Sequence, residues 1–200
     1  MNPLPDKVVM ASGNAGKLRE IAQIFHGLNI TVIPQSEFGI GAVEENGATF
    51  AENAEIKARH AARVSGLAAI GDDSGLAVDA LGGRPGIYSA RYSGPGADDR
   101  SNIDKLLREL DDVPNGERGA AFHCTACFVM SVDADALLAE GEWRGVILRE
   151  CRGESGFGYD PVFFDTDVGL SAAELTIADK NARSHRGKAL QELARQLRGA

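Results

Sequence analysis

Two adjacent carboxylates, Asp72 and Asp73, followed by Ser74-Gly75, close a short apolar run from Leu67 to Gly71. Side chains of consecutive strand residues point to opposite faces, so the two acids are expected to have different tasks. One would bind Mg²⁺ or activate water while the other anchors the turn. Magnesium takes a few carboxylates together with phosphate oxygens and water, so a sparse acidic site suits it. Glu44 and Glu45, in the loop spanning 37–47, offer a further ligand. Acidic residues are also common in turns, and the same segment reads as a solvated turn.

A second segment, Ser12-Gly13-Asn14-Ala15-Gly16-Lys17, stands between a predicted strand and a predicted helix. Backbone N–H groups at a helix N-terminus form an anion site, and a lysine adds charge. The spacing is not that of a Walker A loop, since only Asn14 and Ala15 separate Gly13 from Gly16 and Leu18 follows Lys17. The alternative is a tight strand–helix turn with a solvated lysine. A third segment, Gly156-Phe157-Gly158-Tyr159-Asp160-Pro161, lets the backbone approach a ligand and leaves Phe157 free to stack on a base. It reads equally as a turn whose aromatics plug the core. A fourth, Lys180-Asn181-Ala182-Arg183-Ser184-His185-Arg186-Gly187, gathers cations just before a helix in an otherwise acidic chain. Its cations suit a base carbonyl or a phosphate, or else a solvated surface.

His26, His60 and His123 lack metal-ligand spacing and are read as structural. Cys124 and Cys127 form a C-x-x-C, but their flanks read as a strand, where positions i and i+3 face opposite ways. No second ligand pair follows, so buried thiols are expected rather than metal or redox chemistry.

These segments must be positioned by regular elements. Val8-Val9-Met10 reads as a buried strand, and the periodicity of Leu18, Ile21, Ala22, Ile24 and Phe25 as a helix. A strand is expected over Thr31–Pro34 and a long helix over Thr49–Ser65, with alanines at 51, 54, 58, 61 and 62 as a packing seam. Thr49-Phe50-Ala51-Glu52 fits a capping box. The segment 67–71 is a strand that 76–81 continues, and 102–110 a helix. Strands over 120–132, 136–140 and 144–149 suggest an antiparallel meander, and 187–197 a closing helix. Helix-linked strands together with a meander indicate α/β or α+β, built on a long mixed sheet.

Two hundred residues suffice for a single domain, 1–200, with room for a subsidiary lobe. A hydrophobic content of 44% and a charged content of 25% are those of a globular chain. The net charge of −8 and the lack of a Lys/Arg run argue against nucleic acid as a partner, though not against a nucleotide held in a local pocket. No apolar stretch approaches the roughly 18–20 residues of a membrane span. The segment from Met1 to Lys7 lacks a signal peptide's basic region and apolar run, so a cytoplasmic location is expected.

Taken in order, these segments resemble the inosine triphosphate pyrophosphatase family, which covers dITP/XTP pyrophosphatases. Ser12 to Glu20 is similar to its S/T-G-N-x-x-K-x-x-E opening, with Ser at position 12. Asp72 to Leu76, Leu81-Gly82-Gly83 and Pro85 to Tyr92 resemble its central block; Phe157 to Pro161 and Ser184 to Gly187 resemble its later motifs. The resemblance spans residues 7–198. It implies an elongated α/β fold, a mixed central sheet flanked by helices, with two lobes and a cleft between them, usually as a homodimer. It further implies hydrolysis of ITP, dITP and XTP between the α and β phosphates, giving the monophosphate and pyrophosphate, with Mg²⁺ as cofactor. By motif, Ser12, Gly13, Asn14, Ala15, Gly16, Lys17 and Lys57 would hold the triphosphate. Asp73 would be proton acceptor and magnesium ligand, and Ser74 a substrate contact. Phe157, Gly158, Tyr159 and Asp160 would line the base and sugar pocket, and Lys180, His185 and Arg186 would complete base recognition. Between the loop acids, the spacing Glu44-x-x-Gly47 favours Glu44 as second metal ligand.

In that reading Asp73 deprotonates a water for in-line attack on the α-phosphorus. Selectivity comes from the purine 6-oxo group, an acceptor for His185 or Arg186, where adenine presents a donor and leaves buried donors unpaired. Two rivals carry different expectations: a pyrophosphatase for modified pyrimidine or methylated nucleotides, as in the Maf-like group, and a nucleotide-sensing module without turnover.

Overall fold

Val8-Val9-Met10 forms β1 (Lys7–Met10), which lies parallel to β2 (Thr31–Pro34) on one side and to β3 (Ala68–Val78) on the other. The computed structural model from which this is read describes residues 4–199, with the side chains of Ala15 and Glu20 outside the description. Residues 1–3, the start of the N-terminal segment considered above, lie outside the described residues. Helix α1 (Ala15–Phe25) connects β1 to β2, and α2 (Phe50–Ser65) precedes β3. Then come α3 (Asp99–Glu109), β4 (Gly119–Val129), β5 (Leu137–Ile147), β6 (Phe163–Asp165), β7 (Leu170–Ser171), α4 (Ile177–Arg183) and α5 (His185–Gly199). The seven strands run β2-β1-β3-β4-β5-β6-β7, with β6 antiparallel to both β5 and β7. This is a mixed sheet flanked by helices, the α/β architecture expected.

By contacts the chain divides into two units. The first comprises the chain up to Asp73, Cys124–Gly141 and the chain from His185; the second comprises Ser74–His123 and Glu142–Ser184. In the first unit, strand alternation sorts side chains into two cores. Val8, Met10, Ala68, Ile70, Cys124, Ala126 and Phe128 pack with Ile21 and Phe25 of α1 and Leu190 and Leu193 of α5. Val9, Ala69, Cys127 and Val129 pack instead with Ala54, Ala58, Ala61 and Ala62 of α2. Cys124 and Cys127 therefore lie in different cores, as i and i+3 on a strand require, and both are free. Burial pushes each thiol up to about 12, which suppresses thiolate chemistry. Cys151 is exposed. The second unit has its own core, with Phe122, Trp143 and Phe163 in mutual ring contact.

The alanine seam brings α2 onto the sheet at backbone distance. A Cβ on Gly71 would meet the Ala54 carbonyl and would stand 2.7 Å from the Ala58 nitrogen. Thr49 caps α2 by accepting from the Glu52 N–H at 3.1 Å, while the Glu52 carboxylate reaches back to the Ala48 N–H rather than to that of Thr49.

Three expectations need correction. Asp72-Asp73-Ser74-Gly75 is not a turn: β3 runs unbroken through it for 11 residues, because ion pairs on both faces make the polar residues tolerable within a strand. The segments 136–140 and 144–149 are not two strands but belong to the single strand β5. Its Gly141 marks close packing rather than a break, since a Cβ there would strike the His185 carbonyl and stand 2.7 Å from the Ala189 nitrogen of α5. Finally, the basic segment before the closing helix begins within α4, which is capped by the Thr176 hydroxyl accepting from the Asp179 N–H, and α5 begins at His185 rather than Gly187.

Candidate active site

Strand alternation decides where the two aspartates point. Asp72 continues the series of Ala68 and Ile70 and faces α1 and α5; Asp73 continues Ala69 and Gly71 and faces α2. Each finds a different cation. The Lys17 ammonium lies 2.9 Å from Asp72 Oδ2, and Arg186 Nε donates to the same oxygen at 3.1 Å. Across the strand, Lys57 Nζ donates to Asp73 Oδ1 and to Glu45 Oε1, both at 3.0 Å. Asn53, fully buried, donates to Asp73 Oδ2 at 3.1 Å and accepts the Gly47 N–H at 2.9 Å, which ties the acidic loop to the helix.

The electrostatics differ accordingly. Burial opposes ionisation of Asp72, but Lys17, Arg186 and Lys57 overcome it and hold the carboxyl well below the usual range. For Asp73 burial prevails over Lys57, and Glu45 adds like charge, so its affinity for a proton is raised. Lys57 pays for its burial with three acidic neighbours, Asp72, Asp73 and Glu45, and its pKa is raised. A carboxylate whose proton affinity is raised suits a proton acceptor.

The cavity, of about 310 Å³, is lined by residues of the first unit. Ser12, Gly13, Asn14 and Lys17 form one wall, Lys57 and His60 of α2 another, and Glu45 and Gln35 lie on the connecting segments. The predicted phosphate loop is thus brought to Lys57, Glu45 and Asp72, which share this lining, and Asp73 is joined to it through its ion pair with Lys57. Its backbone is less open than expected: Asn14, as N-cap of α1, accepts from the Gly16 and Lys17 N–H groups at 2.8 and 3.1 Å, and Ser12 Oγ accepts the Asn14 N–H at 3.1 Å. The side chain of Ala15 lies outside the described residues. Of the loop acids, Glu45 reaches the site; Glu44 is exposed. Side-chain alternation along the loop, pinned at Gly47, turns Glu45 inward where motif spacing pointed to Glu44.

In the second unit, Asp160 organises the glycine-rich loop. It accepts the Phe157 N–H at 2.9 Å and pairs with Lys180 Nζ at 2.6 Å. The Lys180 ammonium also lies 4.7 Å from the centroid of the half-buried Phe157 ring, a cation–π contact. Gly156, at φ +85°, leaves space that the Asp160 carboxylate fills; a Cβ there would collide with it. The Gly158 N–H donates to Asp99 Oδ2 at 2.7 Å. Tyr159 takes the core-plugging role: it is buried, and its hydroxyl donates to the Ser89 carbonyl at 2.9 Å. Ser74 follows Asp73 on β3 and is half-buried. The basic segment is not a solvated surface, since Lys180, His185 and Arg186 are all buried.

Three contributors, Asn53, Gln35 and His60, the last read above as structural, were not assigned to the site from the sequence. Asn53, Lys57 and His60 lie four and three residues apart on a helix that was itself predicted, and that spacing was the available signal for Asn53 and His60. Gln35 carried no such signal. Among the described residues no group of three or more His, Cys, Asp or Glu side chains converges as a metal cluster.

The sequence profile of the Ham1 family matches residues 8–196. The chain belongs to this family. Among curated relatives, the dITP/XTP pyrophosphatase of Pectobacterium atrosepticum is 52% identical over 195 residues, covering 97% of this chain and 99% of the relative. That of Shigella flexneri is 54% identical over 193 residues, covering 96% and 98%. Among solved structures, a HAM1 protein from Coxiella burnetii aligns with a TM-score of 0.89 at 45% identity, covering 97% of this chain and 99% of its own. The Staphylococcus aureus Ham1 protein aligns at 0.85 and 40% identity, covering 96% and 98%. The motifs read in the sequence are therefore those of a Ham1 family chain.

Proposed function

We infer that this chain hydrolyses non-standard purine nucleoside triphosphates, of the ITP, dITP and XTP kind, to the monophosphate and pyrophosphate. The observation that carries the reading is Asp73: a buried carboxylate of raised proton affinity, held by Asn53 and by Lys57, which itself lines the cavity that the Ser12–Lys17 loop borders. The names of relatives about half identical over nearly the whole chain support the substrate class.

In the proposed reaction, Asp73 accepts a proton from water as the water oxygen bonds to the α-phosphorus. The bond from that phosphorus to the oxygen bridging it to the β-phosphate breaks, and pyrophosphate leaves. Lys17, Lys57 and the Ser12 hydroxyl hold the phosphate chain and meet the charge that develops on the leaving group. Two carboxylates, from Asp73 and Glu45, converge on one cation, Lys57, and this sparse acidic set with space for phosphate oxygens fits Mg²⁺. Asp73 and Glu45 would hold the ion, with Glu45 replacing Glu44 in that role. When bound, it neutralises charge on the phosphate oxygens. In the first unit His185 donates to the 6-oxo group of the base, and Arg186, fixed by Asp72, keeps it in place. In the second unit the Phe157 ring, held by Lys180 and Asp160, is suited to stacking on a base. The homodimer and the cytoplasmic location belong to the same proposal; no helix among the described residues is long and apolar enough to cross a membrane.

Kinetics for ITP, XTP, GTP and ATP, with product identification, test the reading. ITP and XTP should yield monophosphate and pyrophosphate, with ATP disfavoured on the order of 10⁴-fold, as for a site built on hydrogen bonds. Preferential turnover of a pyrimidine triphosphate, or release of orthophosphate from the γ position, would sink it.

A further inference from the structure

The polar face that α2 presents to the site does not stop at Lys57. Asn53 and Lys57 grip the two oxygens of Asp73, and His60 follows one turn later on the same face. His60 lines the cavity together with Ser12, Asn14, Lys17 and Gln35. It lies about 4.5 Å further along the helix axis than Lys57, on the side away from Asn53 and so away from the reacting carboxylate. Its commitments also differ from those of its cationic neighbours. Lys17 is held by Asp72, and Lys57 by Asp73 and Glu45, whereas the His60 ring has no hydrogen-bond or ion-pair partner among the described residues. An incoming phosphate meets this donor without displacing an ion pair.

We propose that His60 donates to the terminal phosphate of the substrate and makes the site select a triphosphate over a diphosphate. The proposal rests on the pyrophosphatase reading, which places the α-phosphate at Asp73 and hence the γ-phosphate at the far wall. Neither the base nor the scissile bond touches His60, so its contribution is to affinity for the chain's end.

Calorimetry with the α,β-methylene analogues of inosine triphosphate and inosine diphosphate, in the presence of magnesium, tests this on the full chain. His60→Ala should weaken the triphosphate analogue about ten-fold or more, the size of one hydrogen bond to a charged group, and leave the diphosphate analogue unchanged. His60→Gln, which keeps a donor, should recover part of the loss. In turnover, KM for ITP should rise in His60→Ala by a similar factor while kcat is retained. Equal losses for both analogues, as a merely structural role would give, or an unchanged triphosphate affinity overturn the assignment. A wild-type chain that releases no pyrophosphate from ITP sinks the proposed function and this assignment together. An active wild type with an unaltered preference in His60→Ala sinks this assignment alone.

Discussion

Asp72 and Asp73 share a strand, a residue type and nearly the same burial, yet they sit in opposite electrostatic settings. Asp72 faces α1 and α5, where one of its oxygens takes both Lys17 and Arg186, and the pairing holds it ionised. Asp73 faces α2, shares one lysine with Glu45, and holds its proton more tightly than a free carboxyl does. The difference teaches that charge balance, not residue type, separates a fixed ionic support from a carboxyl of raised proton affinity. Two cations on one carboxylate make a fixed support. One cation split between two carboxylates leaves a group able to accept a proton. The same contrast recurs in the second unit, where Asp160 is closed upon Lys180 and the Phe157 N–H and so serves as a support.

The largest effect should come from breaking the support. Asp72→Asn leaves two mostly buried cations short of their counter-ion, and removal of one partner from a buried pair costs about 3–5 kcal/mol. Urea denaturation measures this; a loss no larger than that of a surface substitution would contradict the anchoring role.

Asp73→Asn should spare the fold and depress turnover at least about 100-fold, with nucleotide binding still measurable, as expected for loss of a general base. Near-normal rates would erase the distinction between the two acids.

A smaller effect sharpens the assignment on the α2 face. Glu45→Gln should raise the magnesium concentration needed for half-maximal rate, whereas Glu44→Gln, at an exposed position, should not. The reverse result would favour Glu44 as the second ligand.

The finest test is pH. A depressed carboxyl contributes stability that is present above its unfolded value and lost as pH falls through the folded one. For Asp72 the unfolded value is 3.8, so the deficit of Asp72→Asn should be full at neutral pH and shrink as pH drops below 3.8. A raised carboxyl has the opposite sign. The stability of Asp73→Asn relative to wild type should improve as pH rises above 3.8, because the wild type must then ionise a buried group. Difference curves from denaturation at a series of pH values should slope in opposite directions, and parallel curves would break the comparison.

Much of this arrangement was legible beforehand. The strand at Val8-Val9-Met10, the helix over 50–65 and the split of the two aspartates between faces all follow from periodicity, which local sterics impose whatever the rest of the chain does. Illegible were features whose cause lies far away in sequence. Glycines and adjacent acids read as turn-formers until a partner element supplies the reason for them. Gly141 marks the approach of α5, and Asp72 within β3 is tolerable because Arg186 arrives from the other end of the chain. Asn53 and His60 were visible only as polar positions on a helix, since a side chain's role depends on what it faces.

The sequence by itself determined the elements, the alternation that separates Asp72 from Asp73, and the motifs that place the chain in the Ham1 family, because these rest on local geometry and residue identity. Only the tertiary structure decided which cation each acid meets, that Glu45 turns inward, that Tyr159 serves the core and that His60 faces the cavity. Those outcomes depend on through-space distance and desolvation, which residue order does not encode locally.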